Sequence, residues 1–199
     1  TSLRQALYVL KHSLDGDWLK VDHKNIGMNS DADIRLDIDE FHGYLEECGG
    51  HGHEAGKDCP DCVKPLSEAV KVYRGDFLSG FSLKNSVNFD DWQFSQTQNL
   101  RSEVTGGLEN LLGCLSEEGE YQKAIGYGRR WLELNRTDEV AHRHLMELYA
   151  RTGKRAAALR QYEECERVIK KELSEVPKEE TIRLYQAIKE NTFSRDSKV

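Results

Sequence analysis

Apolar residues recur at helical spacing through the second half of the chain. From residue 90 to residue 193 they return every three or four positions, which places them on one face of an α-helix. The predicted elements are a helix from Asp90 or Asp91 to Leu115, a helix capped by Asp138, a helix over residues 154–173 and a closing helix over residues 179–190. This part of the chain is therefore expected to be mainly α.

The same region aligns with itself at a step of 34 residues. The step superimposes Gly119 on Gly153 and Ala124 on Ala158, with apolar residues matched on either side. A period of 34 is that of the tetratricopeptide repeat, a helix-turn-helix unit that buries its apolar face by stacking on its neighbours. The glycines are expected to end the first helix of each unit, and the alanines to let two helices approach closely. The pattern predicts a tetratricopeptide-like solenoid, and nothing in it resembles a catalytic constellation.

The first 28 residues follow a different pattern. Residues 2–14 predict an amphipathic helix whose outer face is basic and hydrogen-bonding, and its apolar face carries Leu3, Ala6, Leu7, Leu10 and Leu14. Two short β-like runs, residues 18–21 and 25–28, are separated by three polar residues and predict a hairpin. A helix followed by a hairpin is the order found at the end of a winged helix.

Composition and charge limit the classes of protein that fit. Of 199 residues, 38% are hydrophobic and 32% charged, with three prolines, which indicates an ordered chain. The net charge of −7 disfavours general attraction to phosphates, but residues 1–12 contain no acid, whereas residues 31–47 contain seven acids against Arg35. No apolar run reaches the roughly 20 residues of a membrane helix, and no secretory signal begins the chain. A cytoplasmic location without membrane contact is expected.

Several short motifs occur in an order that resembles the bacterial transcriptional activator domain. This domain is the helical module that follows the winged helix in regulators of antibiotic biosynthesis and in related large activators. The motifs are SLRQAL from residue 2, WLKVD from residue 18, MNSDAD from residue 28, DIDEF from residue 37, YRGDFLSGF from residue 73, Asp91 with Trp92, and the repeats. The resemblance covers nearly the whole chain, and YRGDFL is its most specific part.

The resemblance implies a transcription regulator, not an enzyme. It implies a winged helix that binds DNA in residues 1–30, and a repeat domain in residues 31–199 that mediates dimer or partner contacts. Residues 2–14 would form the recognition helix and residues 18–28 the wing. The residues that would face DNA are Arg4, Gln5, Tyr8 and Lys11 on the helix, with His23 and Lys24 at the wing tip. Arg and Gln can read base edges, while Lys and Tyr bind phosphates.

The chain departs from a complete winged helix at its start. The strands and two helices that come before a recognition helix are not seen before Thr1, and the helical pattern begins at once without Met. We therefore expect a piece of a longer protein that binds DNA weakly on its own. A tetratricopeptide-type interaction scaffold without DNA binding, carrying a structural zinc site, is the alternative.

A cluster of cysteine and histidine lies in a loop of the second part, residues 31–199. Residues 48–62, CGGHGHEAGKDCPDC, contain three of the five cysteines and two of the seven histidines. Two close pairs joined by a glycine-rich segment let four side chains converge on one ion, and the mixed thiolate and imidazole set suits structural zinc. The predicted ligands are Cys48, His51, Cys59 and Cys62, with His53 as a substitute for His51. A redox C-x-x-C motif and an unligated loop remain alternatives.

Overall fold

The computed structural model describes residues 3–14, 16–22, 24–51 and 59–193. Within these residues the protein is mainly α-helical, as predicted, and a short antiparallel hairpin lies near the N-terminus. No helix in these ranges has the length and apolar character needed to cross a bilayer. The helices are α1 (Leu3–Ser13), α2 (Asp37–Gly49), α3 (Val63–Val72), α4 (Val87–Glu117), α5 (Tyr121–Leu134), α6 (Glu139–Arg151), α7 (Arg155–Leu173) and α8 (Glu179–Lys189); the strands are β1 (Leu19–Val21) and β2 (Ile26–Met28).

The chain divides into two units, Thr1–Glu40 and Phe41–Val199. In the first unit, β1 and β2 pair in an antiparallel register that sets Lys20 opposite Gly27. The Asp22 carboxylate accepts the backbone N–H groups of Lys24 and Asn25, both at 2.7 Å, and these bonds hold the pKa of Asp22 below its usual value. The predicted hairpin is confirmed, and a local side-chain hydrogen-bond pattern closes its turn.

The second unit is a stack of helices in which each packs on the next, from α3 to α8. Stacked helices of this kind bury one apolar face between neighbours, so the core runs through the whole stack. The fully buried side chains come mainly from α4, α6 and α7 and include Leu108, Leu111, Leu112, Leu115, Leu145, Met146, Val168 and Ile169. The predicted helical solenoid is confirmed.

The residues that define the two repeats have the positions that the sequence predicts. Gly119 and Gly153 follow α4 and α6 with φ of +76° and +74°, a left-handed conformation that favours glycine after a helix. Ala124 and Ala158 are fully buried at the matching positions of α5 and α7. Asp138 caps α6 by accepting the backbone N–H groups of its first turn.

The predicted start of the long helix is wrong. We expected Asp90 or Asp91 to cap it, but α4 begins at Val87. The extra turn forms because the Phe89 ring packs against Phe81 and Trp92, each at 5.6 Å between ring centroids. Asp90 therefore lies inside the first turn, where its charge favours the helix N-terminus.

The YRGDFL motif forms the connection between α3 and α4. The Asp76 carboxylate accepts two hydrogen bonds from the Arg101 guanidinium, at 2.7 and 2.6 Å, in the paired geometry that suits these two groups. The Gln93 side-chain amide donates to the backbone carbonyls of Phe77 and Leu78. The motif thus fixes the loop on α4, which sets the position of α3 beside it.

Candidate functional site

The cysteine and histidine cluster lies where α2 ends and α3 begins. Cys48 is in the last turn of α2, and His51 lies just beyond the end of this helix. Cys59 precedes a 3₁₀ turn, Pro60–Cys62, and Cys62 is the residue before α3. Cys48 and Cys62 are buried, whereas His51 is exposed and Cys59 is half-buried. The helix ends therefore present side chains of both predicted pairs to one another.

Three of the predicted ligands lie close enough to share one ion. The His51 Nδ1 atom is 3.2 Å from the Cys62 Sγ and 3.8 Å from the Cys59 Sγ, and all three atoms lie within 4.8 Å of one another. A tetrahedral zinc ion, with bonds of about 2.0 Å to nitrogen and about 2.3 Å to sulfur, separates its ligand atoms by roughly 3.5–3.8 Å. The donor set and its spacing therefore fit zinc.

The other two predicted ligands have different positions. The Cys48 Sγ lies 3.9 Å from the backbone carbonyl oxygen of Cys62, next to the three grouped side chains but not within the same 4.8 Å set. His53 lies outside the described residues. The structure therefore brings together His51, Cys59 and Cys62, with Cys48 beside them.

A contact between the cluster and a further cysteine was missed by the sequence reasoning. Cys114 lies on α4, and its Sγ accepts the backbone N–H of Cys59 at 3.2 Å. The two residues are 55 positions apart, and only the packing of the 3₁₀ turn on α4 brings them together. No sequence spacing could have indicated this contact. Cys165, by contrast, is buried in α7 as its helical pattern predicts.

The residues predicted to face DNA are exposed where they can be described. Arg4, Gln5, Tyr8 and Lys11 lie along the exposed side of α1. Lys24 is exposed at the hairpin turn, and His23 lies outside the described residues. The Tyr8 ring lies 3.9 Å from the ring of His12, one turn further along the helix. The apolar face predicted for this helix is covered only in part, since Leu10 remains 45% exposed and Leu14 37% exposed.

A protein-family model for the bacterial transcriptional activator domain matches residues 36–189. The chain belongs to this family. The match runs from the start of α2 to the end of α8, so it includes the cysteine and histidine cluster and both repeats. The family is a regulatory one, and the resemblance stated from the motifs is confirmed over residues 36–189. No curated protein sequence matches the chain.

Burial changes the acidity of two thiols in the cluster of this activator domain. Burial, with the neighbouring thiols, raises the pKa of Cys62, and burial also raises the pKa of Cys48. Thiol exchange needs a thiolate, so a raised pKa makes a thiol unreactive. A bound cation has the opposite effect, because its charge stabilises thiolates and it takes them as ligands. Cys48 and Cys62 are therefore poor thiolates unless a cation is bound.

Proposed function

We propose that this chain is part of a bacterial DNA-binding transcriptional activator that acts in the cytoplasm and is not an enzyme. The family match over α2 to α8 carries the proposal, because that family consists of transcriptional activator domains. In this proposal residues 1–30 belong to a winged helix, and the helical unit contacts a protein partner or a second copy of the chain. Neither role requires a membrane.

The exposed side of α1 supports the DNA-binding role. It places Arg4, Gln5 and Lys11 on one surface without an acidic residue in the helix. Guanidinium and amide groups suit base edges in the major groove, and ammonium groups suit phosphates. The partly exposed Leu10 and Leu14 support further packing on this helix, of the kind that the other helices of a winged helix supply.

DNA binding is tested with the full-length product of the gene and duplexes from its own promoter region. We expect the double variant Arg4→Ala/Lys11→Ala to bind at least about tenfold more weakly and to show a shallower salt dependence, since roughly one ion fewer is released for each cation removed from the interface. Lys170→Ala/Lys171→Ala removes two exposed cations of α7, is the matched control and should bind as the unchanged protein does. If the full-length protein binds no duplex, the interaction scaffold without DNA binding becomes the better account.

We further propose that the cluster holds a structural zinc ion. His51, Cys59 and Cys62 are three ligands in this proposal, and Cys48 is the fourth because its buried thiol lies beside them. Four protein ligands leave no open position, so zinc here stabilises the fold and acts on no substrate. It would hold the end of α2 to the start of α3 across the segment between them, which is otherwise costly in entropy.

The zinc proposal is tested by metal content and thermal unfolding. Protein purified under reducing conditions without chelator should carry one zinc per chain, and a strong chelator should lower its Tm by about 5 °C or more, because metal affinity adds to folding free energy. Cys59→Ala should lose the metal, whereas Cys165→Ala should keep it, since Cys165 is buried in α7 away from the cluster. A zinc content near zero in the reduced protein would rule the site out.

The choice between the two histidines has its own test. We expect His51→Ala to weaken zinc binding at least about tenfold and His53→Ala to leave it unchanged. Cobalt(II) in place of zinc reports the ligand set through its visible spectrum, which should change in His51→Ala only. The reverse result would make His53 the ligand.

A further inference from the structure

Two adjoining clefts run across the faces of α3, α5 and α7. The first, of about 630 Å³, lies between the end of α3 and α5. The second, of about 440 Å³, lies between α5, the end of α6 and α7. Gly126 lines both clefts, so they meet at the middle of α5. We call the pair the basic groove.

Positive charge dominates the lining of the basic groove. Among the described residues, neither cleft is lined by a carboxylate, although the chain as a whole has a net charge of −7. Clefts lined by one sign of charge concentrate the field and attract ligands of the opposite sign. The cationic side chains are Lys71, Arg74, Lys123 and Arg130 in the first cleft and Arg129, Lys154 and Arg160 in the second.

The cations of the basic groove form only weak ion pairs with nearby carboxylates. Lys71 pairs with Glu68 at 2.6 Å, and Lys123 pairs with Glu120 at 3.3 Å, each across a single turn of the chain. Exposed pairs of this kind contribute little free energy and can be exchanged for another partner. Arg74 forms no ion pair with any residue that the structure describes. An incoming anion can therefore reach these cations without breaking a buried ion pair.

The groove also has apolar and aromatic walls and two fixed guanidinium groups. Tyr127 is half-buried beside the largely buried Val70 in the first cleft. Arg130 donates to the backbone carbonyl of Tyr73 at 3.3 Å, and Arg129 donates to the hydroxyl of Tyr149 at 3.2 and 3.1 Å. These bonds hold the two arginines in place, so less side-chain entropy is lost when a ligand binds.

We propose that the basic groove binds an extended acidic segment of a protein partner, in which carboxylates alternate with apolar side chains. Carboxylates would meet the cations along the groove, and apolar side chains would contact Tyr127 and Val70. Duplex DNA fits less well, because a rod of its width would also meet Glu68, Glu120 and Glu133 outside the clefts. This inference rests on the proposed contact of the helical unit with a protein.

The binding test uses the whole chain and a fluorescein-labelled peptide of the pattern Asp-Leu-Glu-Asp-Phe-Glu-Asp-Leu-Glu. Its control replaces each acid by the corresponding amide. We expect fluorescence anisotropy to show a Kd on the order of 10 μM for the acidic peptide and at least about tenfold weaker binding of the amide peptide, as electrostatic complementarity requires. Equal binding of the two peptides, or binding of neither, would overturn the inference.

Three variants locate the binding surface. Arg74→Glu/Lys123→Glu should weaken binding of the acidic peptide at least about tenfold. Lys170→Glu/Lys171→Glu, which reverses two charges at exposed positions of α7, should change it less than about twofold. Gly126→Leu should block the groove without a change of charge, because Gly126 lines both clefts. The fold should tolerate the new side chain, since a Cβ at this position meets no atom within 4 Å. Unchanged peptide affinity in the groove variants would remove the groove as the site.

Measuring how the same variants bind duplex DNA separates this inference from the proposed function. If Arg74→Glu/Lys123→Glu abolishes DNA binding and leaves the peptide unaffected, the groove is a nucleic-acid surface and the inference fails. If the peptide binds in the groove while Arg4→Ala/Lys11→Ala has no effect on DNA binding, the inference stands and the proposed role of α1 fails. Each proposal thus has an outcome that contradicts it alone.

Discussion

His142 is a histidine whose environment requires its neutral form. It is buried in α6, where its Nδ1 accepts from the Gln161 amide at 2.7 Å and its Nε2–H donates to the Arg136 carbonyl at 3.1 Å. Burial lowers the pKa of His142 below its usual value of 6.5. The hydrogen-bond partners of the ring come from the turn before α6 and from α7.

The lowered pKa of His142 predicts a loss of stability in mild acid. The unfolded chain takes up a proton on His142 near pH 6.5 and the folded state does not. The contribution of the neutral ring to stability is therefore complete above about pH 6.5 and is lost as the pH falls below it. The free energy of unfolding should fall by up to about 1.4 kcal/mol per pH unit. Urea unfolding between pH 7.5 and 5.5 measures this slope. His142→Gln should show a shallower slope, and an equal slope in both proteins would contradict the prediction.

Asp138 both caps α6 and links this helix to α5. Its carboxylate accepts the N–H groups of Val140 and Ala141, which caps α6, and it also accepts from the indole nitrogen of the buried Trp131 at 3.0 Å. The capping role was predicted from local sequence. The bond to Trp131 ties the end of α5 to the start of α6 and was visible only in the fold.

Asp138→Ala should destabilise the protein by about 2 kcal/mol or more, because it removes a helix cap and leaves the buried Trp131 indole without its acceptor. Asp138→Asn keeps one side-chain oxygen and should recover part of the loss. Chemical denaturation of both variants measures the difference. Equal stability of the alanine variant and the unchanged protein would show that the cap contributes nothing.

At the scale of elements, α5 contains two glycines with opposite surroundings. Gly126 is exposed, and a Cβ added there meets no atom within 4 Å. Gly128 is buried, and a Cβ there would lie 2.8 Å from a methyl group of Leu145 on α6. The first glycine only weakens the helix, whereas the second lets α6 approach α5.

These surroundings predict opposite effects of the same substitution. Gly126→Ala should stabilise the protein by about 0.5–1 kcal/mol, because alanine loses less backbone entropy in a helix. Gly128→Ala should destabilise it by about 1–3 kcal/mol through overpacking against Leu145. Urea denaturation of the two variants side by side checks the signs. Two shifts in the same direction would mean that helix propensity or packing alone governs α5.

The elements differ in how well they could be predicted. The helices α5 to α8 follow a clear helical period and are bounded by Gly119, Gly153 and Pro177, so local sequence was sufficient for their positions. The start of α4 was missed, since ring contacts between the loop before the helix and its first turns hold the extra turn. Packing contacts of this kind lie outside the helical period from which the boundary was predicted.

At the scale of the whole molecule, the chain consists of two units, and the boundary between them falls in the sequence between Glu40 and Phe41. The buried core residues from α3 to α8 all belong to the second unit. The family match begins at residue 36, just before α2. The second unit therefore contains the parts needed for a cooperative fold.

A shortened chain of residues 34–199 should fold on its own. We expect one cooperative thermal transition, with a Tm within a few degrees of that of the whole chain and with the same zinc content per chain, because the core and the cluster are intact. Calorimetry and metal analysis check both points. A broad transition without cooperativity would show that residues before 34 complete the core.

The sequence by itself determined the helical class, the 34-residue repeat, the hairpin, the family and the presence of a cysteine and histidine cluster. Each of these depends on residues close together in the chain, so its spacing is visible before folding. Only the tertiary structure decided that Cys48 lies beside the group of His51, Cys59 and Cys62 and not within it, that Cys114 contacts Cys59 and that separate helices form the basic groove. Such contacts join positions far apart in the chain, and their distances are set by how helices pack rather than by how residues are spaced.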